Sequence, residues 1–270
     1  MTGSFYRWPQ NPNFTKDYVM KKVALITGAA RGIGQAFARR LAQDGLTVAL
    51  LDRLDCQATA KLVHDAGSDA HIFRADLSEK ADIDRVAAEV LSQFGAVDVL
   101  VNNAGILPNK SFDEITVEEY RLLMSINLDA PFWLTHALVG GMRGKGWGRI
   151  INVTSNTFGA PIKDFTHYIA SKMGLIGLTR ALASELGASG ITVNAVAPGL
   201  TRTPWMLEAG RKGPGGMSYE EESKLIVSMQ SIPRAQTPED LAGIVSFLSS
   251  KDADFITGQT VVVDGGLVRV

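Results

Sequence analysis

The sequence is short of cysteine, of net charge and of long apolar runs, and each shortage excludes a class of protein. Its single cysteine, Cys56, permits neither an internal disulfide nor a thiolate metal cage. Lys and Arg number 27 against 28 Asp and Glu, so we expect neither a nucleic acid nor an anionic membrane as the main partner. We find no apolar run near the ~20 residues of a membrane span, and no signal-peptide core in the first twenty residues. A soluble, cytoplasmic protein is therefore expected.

What the sequence does contain is a regular alternation of short apolar runs and helical patterns from residue 21 onward. The runs are continuous in Val, Ile and Leu, as in KVALIT before Gly28, which indicates strands buried on both faces and hence a parallel sheet. Alternation with helices predicts one doubly wound α/β domain over residues 21–270. Residues 1–20 lack periodicity and are predicted to be a loose N-terminal extension or, alternatively, an arm that docks on a neighbouring subunit.

Three local features refine this prediction. Ser78 is expected to cap a helix over 78–94, and Pro131 is expected at a break between two helices within 116–142. Residues 200–233 form a long irregular insert rich in Gly and Pro, which we interpret as a substrate lid rather than a disordered loop.

The first predicted strand ends in a glycine-rich segment, Thr27-Gly28-Ala29-Ala30-Arg31-Gly32-Ile33-Gly34. Glycines let the backbone approach a pyrophosphate, and the helix that follows presents free N–H groups to it. Asp52 closes the second strand eighteen residues beyond Gly34, where a carboxylate can bind ribose hydroxyls. Asp76 closes the third strand and could face the adenine or cap a helix. The glycine-rich segment, with these two carboxylates, predicts a dinucleotide site.

A second group of residues indicates acid–base chemistry. Tyr168 and Lys172 are four residues apart in a predicted helix and share one face, so the ammonium is expected to lower the phenol pKa. Ser155 ends the strand thirteen residues before Tyr168 and could donate to a substrate oxygen. Asn127 is a polar residue within an apolar helical run. The four histidines have no metal-ligand spacing, so no metal is expected.

Together with Asn102-Asn103-Ala104-Gly105 and Pro198-Gly199-Leu200-Thr201-Arg202-Thr203, these motifs resemble the short-chain dehydrogenase/reductase family. The resemblance runs from about Lys21 to the C-terminus. It implies a Rossmann-type sheet of seven parallel strands and a homotetramer, for which 260–270 and the helix after Phe165 are candidate contacts. It also implies that Tyr168 is the general acid/base, that Lys172 lowers its pKa and binds the nicotinamide ribose, that Ser155 holds the substrate oxygen, and that Asn127 orders a water in a proton relay. The cofactor-binding residues then expected are Gly28, Arg31, Gly32, Ile33, Gly34, Asp52, Asp76, Leu77, Asn103, Ala104, Gly105, Tyr168, Lys172, Pro198, Gly199 and Thr203, the last on the nicotinamide carboxamide.

Within the family, segments 146–152, 166–169 and 255–260 are similar to aromatic secondary-alcohol dehydrogenases of the 1-phenylethanol type. They are also similar to pyridoxal 4-dehydrogenase and 3-oxoacyl-ACP reductases. The leading prediction is hydride transfer between NAD(H) and a secondary alcohol or ketone with an apolar or aromatic substituent. The alternatives are a 3-oxoacyl-thioester ketoreductase, at which Arg202, Arg211 and Lys212 hint, and a dinucleotide-binding protein without turnover. The predicted substrate pocket comprises Leu107, Asn156, Phe158, Phe165, Trp205 and Met206.

The cofactor preference rests on opposed charges. Asp52 at the strand end would repel the 2′-phosphate of NADP, a cost of several kcal/mol in a partly dry site. Arg31 and Arg53 could attract that phosphate, and family members that use NADP often have a basic residue at the Arg31 position. Because Asp52 is fixed by its strand and the arginines can swing into solvent, NAD is predicted and NADP is the alternative.

Overall fold

The structure is a computed structural model that describes residues 21–208 and 212–269. The predicted extension 1–20, Arg211 and Val270 lie outside the described residues. The strands are β1 (Val23–Thr27), β2 (Thr47–Asp52), β3 (Ala70–Arg74), β4 (Val99–Asn102), β5 (Gly148–Val153), β6 (Ile191–Pro198) and β7 (Thr260–Val263). The helices are α1 (Gly32–Gln43), α2 (Gln57–Asp65), α3 (Lys80–Phe94), α4 (Val117–Met124), α5 (Ala130–Lys145), α6 (Thr166–Leu186), α7 (Tyr219–Met229) and α8 (Glu239–Ser249).

The seven strands form one parallel sheet in the order β3-β2-β1-β4-β5-β6-β7. The order reverses between β1 and β4, whose register pairs Leu25 with Leu100. A crevice opens at the carboxyl ends of the strands at such a reversal. The prediction of a seven-stranded, doubly wound parallel sheet is confirmed.

Both faces of the sheet are covered, which explains the continuous apolar runs. Alternate residues of one strand enter different cores: Ile26 packs with Phe37 of α1 and Val245 of α8 on one face. Leu25 packs with Leu134 of α5 on the other face. Strands of this kind cannot alternate polar and apolar residues.

The helix after β3 begins later than predicted, and Ser78 does not cap it. α3 starts at Lys80 with Glu79 at its N-cap position. The hydroxyl and the N–H of Ser78 both donate to Asp76 Oδ1, at 2.8 and 2.9 Å. Asp76 therefore takes the hydroxyl that a cap would have used, and the prediction for Ser78 is wrong.

The helices α4 and α5 are continuous through a π-helical turn, Ser125–Asp129, so the predicted break at Pro131 is wrong. Pro131 lies in the first turn of α5, where the wider turn before it accommodates a residue that lacks an N–H. By length and composition alone, the joined helix Val117–Lys145 is long and apolar enough to cross a membrane, contrary to the expectation that no segment is. In the fold, Leu134, Leu138 and Met142 on one side of it belong to the core.

Candidate active site

Two adjoining cavities occupy the crevice at the carboxyl ends of the strands. One, of about 280 Å³, follows the glycine segment to Asp52 and Asp76. The other, of about 410 Å³, lies over Ser155, Tyr168 and Lys172. The residues that line both are Ile33, Asn103, Gly105, Ile106, Thr203 and Trp205. The crevice is therefore continuous from the predicted dinucleotide site to the predicted catalytic residues.

The glycine segment has the backbone that the motif requires. Gly28 and Gly32 have φ values of +66° and +62°, in the region that favours glycine. A Cβ on Gly34 would lie 2.2 Å from the Gly28 carbonyl oxygen, so only glycine lets α1 pack against this turn. No side chain caps the start of α1, which leaves the N–H groups of its first turn for an anion.

The loop after β4 is fixed to the glycine segment by hydrogen bonds. Thr27 Oγ1 accepts from the N–H groups of Asn103 and Ala104, at 3.0 and 2.9 Å. Asn103 Nδ2 donates to the Thr27 and Gly28 carbonyls. A Cβ on Gly105 would lie 3.3 Å from Lys172 Nζ, so this glycine keeps the floor between the two cavities open.

Both oxygens of the Asp52 carboxylate are held by backbone donors. Ala30 N–H donates to Oδ2 and Leu54 N–H donates to Oδ1, each at 3.0 Å. Asp76 and Leu77 line the same cavity, and the Asp76 carboxylate also accepts a hydrogen bond from Ser78 N–H. Arg31 also lines this cavity, and its guanidinium forms an ion pair with Glu208.

Tyr168 and Lys172 lie on α6 below the larger cavity, where Lys172 is buried and Tyr168 is half-buried. Burial raises the pKa of Tyr168 to about 12, and a hydrogen bond with Ser155 opposes that shift. Burial lowers the pKa of Lys172 to about 8. Lys172 Nζ donates to the Val153 carbonyl at 2.8 Å and lies 5.8 Å from the Tyr168 ring centroid. Burial and the Ser155 hydrogen bond account for this Tyr168 pKa, and the lowering expected from Lys172 stays a prediction.

Asn127 lies in the π-helical turn and is fully buried. Its Nδ2 donates to the Ile106 carbonyl at 3.0 Å and to Ser171 Oγ at 3.1 Å, while its Oδ1 accepts from Ile106 N–H. The side chain thus joins the loop after β4 to α6, next to Lys172. Its role in ordering a water stays a prediction.

The larger cavity is lined mainly by apolar side chains. Five of the six predicted pocket residues line it: Leu107, Asn156, Phe165, Trp205 and Met206. Phe158 is not among the lining residues, because the 3₁₀ turn Asn156–Phe158 directs Asn156 and Thr157 into the cavity instead. Sequence reasoning missed Ile162, Glu222, Ile226, Met229 and Leu267. The spacing of Glu222, Ile226 and Met229 along α7 was the available signal for a helix face.

The remaining predicted residues also lie at the crevice. Pro198, Gly199 and Thr203 line the larger cavity, and Gly34 lies beneath the glycine turn. In the described part of the chain no group of three or more His, Cys, Asp or Glu side chains could hold a metal ion. Burial raises the pKa of the Cys56 thiol to about 12, so this cysteine is a packed side chain rather than a nucleophile.

The residues present fit a nicotinamide dinucleotide. The open glycine turn and the uncapped α1 would hold its pyrophosphate, and Asp52 would hold a ribose. When bound, such a group supplies or accepts a hydride. The protein's own residues would then handle the proton: Tyr168 would carry it at the ring hydroxyl, and the Ser155 hydroxyl would hold a substrate oxygen beside it.

Comparison with known proteins agrees with this geometry. Residues 28–268 match the family model described as enoyl-(acyl carrier protein) reductase. A short-chain dehydrogenase/reductase of Armillaria gallica is 40% identical, covering 92% of this chain and 96% of that protein. An (S)-acetoin-forming diacetyl reductase of Staphylococcus aureus is 37% identical, covering 91% and 97%. The crystal structure of a putative NAD(P)-dependent gluconate 5-dehydrogenase from Beutenbergia cavernae, with bound NADP, superposes with a TM-score of 0.83 at 36% identity, covering 91% and 96%.

The matches extend over nearly the whole chain, and they include both the glycine segment and the Ser155, Tyr168 and Lys172 positions. The chain therefore belongs to the short-chain dehydrogenase/reductase family and is an oxidoreductase with a nicotinamide dinucleotide site.

Proposed function

We propose that this protein transfers a hydride between NAD(H) and a small secondary alcohol or ketone that has an apolar or aromatic substituent. The observation that carries the proposal is the apolar cavity of about 410 Å³ over Ser155 and Tyr168, directly beside the dinucleotide crevice. A cavity of this size suits a small organic molecule. Support also comes from the diacetyl reductase relative, whose name describes reduction of a small ketone.

The decisive experiment is a panel of ketones, aldehydes and alcohols assayed with NADH, NADPH and their oxidised forms. We expect turnover of aryl–alkyl ketones and of small diketones, and poor turnover of charged substrates. If a folded protein bound dinucleotide but turned over no member of the panel, the proposal would be replaced by a binding protein without catalysis.

A 3-oxoacyl thioester is the second candidate substrate, and 3-oxoacyl-CoA belongs in the same panel. Lys110 lines a separate cavity that shares Leu107 and Trp205 with the substrate cavity. Its ammonium is held by both oxygens of Glu119, at 2.6 and 2.7 Å, which leaves it poorly placed to bind a phosphate. A kcat/KM for 3-oxoacyl-CoA above that of every simple ketone would favour the thioester.

NAD is proposed as the preferred cofactor for two reasons. The Asp52 carboxylate is fixed by two backbone donors, so a 2′-phosphate beside it would meet a charge that cannot move away. Two such charges 4 Å apart repel by about 4 kcal/mol at an effective dielectric constant of 20. Arg31, the residue best placed to attract that phosphate, is paired with Glu208.

The test of this preference is steady-state kinetics of the wild type and of Asp52→Ala with each cofactor. The wild type should have the higher kcat/KM with NAD(H), and the variant should move towards NADP(H). A wild type that prefers NADP(H) would show that Arg31 and Arg53 outweigh Asp52.

The proposal also includes a cytoplasmic homotetramer in which segment 200–233 closes over the substrate. The even charge balance and the single buried cysteine support the compartment. Leu200, Trp205, Met206 and the inner face of α7 all line the substrate cavity, which supports a covering role for the segment.

A further inference from the structure

One buried carboxylate has no part in the chemistry described above. Asp264 directly follows β7 and is 3% exposed. Its Oδ1 accepts from the N–H groups of Gly266 and Leu267, at 3.0 and 3.1 Å. Its Oδ2 accepts from Val268 N–H at 2.9 Å and from Asn156 Nδ2 at 3.0 Å. All four acceptor positions of the carboxylate are in use.

The four donors belong to two segments that each contribute to the wall of the substrate cavity. Asn156 directly follows Ser155, is buried, and lines the cavity. Leu267 lines the same cavity from the C-terminal segment. The two segments also meet in van der Waals contact, since a Cβ added at Gly159 would lie 2.4 Å from Val268 Cγ1.

The main chain of Asp264 contacts a third segment. Its carbonyl accepts from Gln230 Nε2 at 2.7 Å, and Gln230 directly follows α7. α7 brings Ile226 and Met229 to the cavity. Asp264 is thus hydrogen-bonded to three parts of the chain: the segment after Ser155, the C-terminal segment and the residue that follows α7.

We propose that Asp264 is a positioning residue that sets the distance of the Ser155 segment from the C-terminal wall, and thereby the binding and orientation of the substrate. The inference rests on the proposed function, because it assumes that the substrate occupies this cavity. Asp264 itself does not line the cavity and acts through Asn156 and Leu267. Among the polar side chains, only a carboxylate offers four acceptor positions, and that of aspartate is short enough to stay close to its own main chain.

The main test is Asp264→Asn, which preserves the size of the side chain and removes two acceptor positions. With its amide nitrogen in place of Oδ2, the new side chain would present N–H groups to two other donors, Val268 N–H and Asn156 Nδ2. Both of these donors would lose their acceptor. We expect KM for the ketone to rise about ten-fold and kcat to fall. A ten-fold change corresponds to the loss of one hydrogen bond to a charged group. The dissociation constant of NADH, measured by fluorescence, should change less than about two-fold. Asp65→Asn on the exposed face of α2 is the matched control and should change nothing.

A residue exchange separates positioning from general stability. In Asn156→Asp/Asp264→Asn the hydrogen bond can form with the roles reversed, because the amide at 264 donates to an oxygen at 156. Val268 N–H still has no acceptor. We expect kcat to recover, because the Ser155 segment is held again, and KM to stay raised, because the C-terminal wall is not. Circular dichroism and the melting temperature identify variants that fail to fold.

If Asp264→Asn does not fold, Asn156→Ala tests the same link while three donors to the carboxylate remain. It should lower kcat with a small change in melting temperature. The inference is overturned if a folded Asp264→Asn keeps wild-type KM and kcat, if the exchange restores nothing, or if Asn156→Ala leaves kcat unchanged. A wild type that turns over no ketone would instead contradict the proposed function, and the substrate panel shows this separately.

Discussion

At the scale of single residues, the proposed chemistry depends most on Tyr168. Its pKa of about 12 means that it holds its proton near neutral pH, as a general acid for ketone reduction must. We predict that Tyr168→Phe lowers kcat by about 10²–10⁴-fold, the usual contribution of general acid–base catalysis. Dinucleotide affinity should stay largely intact, which fluorescence titration would check. Tyr120→Phe on the exposed side of α4 is the control. If Tyr168→Phe kept more than about a tenth of wild-type activity, Tyr168 would not be the general acid.

Lys172 gives a prediction about stability and pH. Its pKa is lowered by burial from 10.5 to about 8, so below pH 8 the folded protein must keep a charge buried, at a cost of about 3 kcal/mol. Between pH 8 and 10.5 the unfolded chain binds more protons than the folded one, so the contribution of Lys172 to the free energy of unfolding rises with pH.

We therefore expect Lys172→Met, although inactive, to melt at a higher temperature than the wild type at pH 7. That advantage should shrink as the pH rises from about 8 to 10.5. Lys61→Met on the exposed surface of α2 should show no such pH dependence. A difference in melting temperature that stays constant from pH 7 to 10.5 would contradict the buried charge.

At the scale of elements, patterns that depend on nearby residues were predictable from sequence, and contacts between distant segments were not. The strands followed from apolar runs, and the glycine turn and the Tyr168/Lys172 face followed from spacing. The Ser78 cap was mistaken because Asp76 competes for the same hydroxyl. The break at Pro131 was mistaken because a π-helical turn has no marker in the pattern. Leu267 was missed because it reaches the cavity through Asp264, more than a hundred residues from Asn156.

The 3₁₀ turn Trp205–Leu207 and the turn Asn156–Phe158 give a matched pair of aromatic residues. Trp205 lines both cavities, whereas Phe158 lines neither. We predict that Trp205→Ala raises KM for an aryl ketone by about ten-fold, the loss of most of one buried aromatic contact. Phe158→Ala should leave KM within about two-fold. Steady-state kinetics with several ketones would check both, and the opposite ranking would show that the substrate lies elsewhere.

At the scale of the whole molecule, the sheet ends in an edge that the described chain leaves uncovered. β7 is an edge strand of three valines after Thr260, all partly exposed, and Phe255 just before it is fully exposed. An exposed apolar edge invites pairing with another chain. On the helices, Met173 of α6 and Trp133 of α5 are 47% and 38% exposed. If the strand edge and the two helices each form one two-fold interface, the assembly is a tetramer.

We predict that light scattering at micromolar concentration gives the mass of four 29.0 kDa chains. Because each two-fold interface joins chains in pairs, the loss of one interface should leave dimers rather than monomers. Phe255→Asp should therefore give a dimer through the helical surface, and Met173→Glu a dimer through the sheet edge. The double variant should be a monomer, while Glu79→Gln on the exposed start of α3 should remain a tetramer. A monomeric wild type would refute the assembly. Tetramers that persist in both single variants would place the contacts on other surfaces.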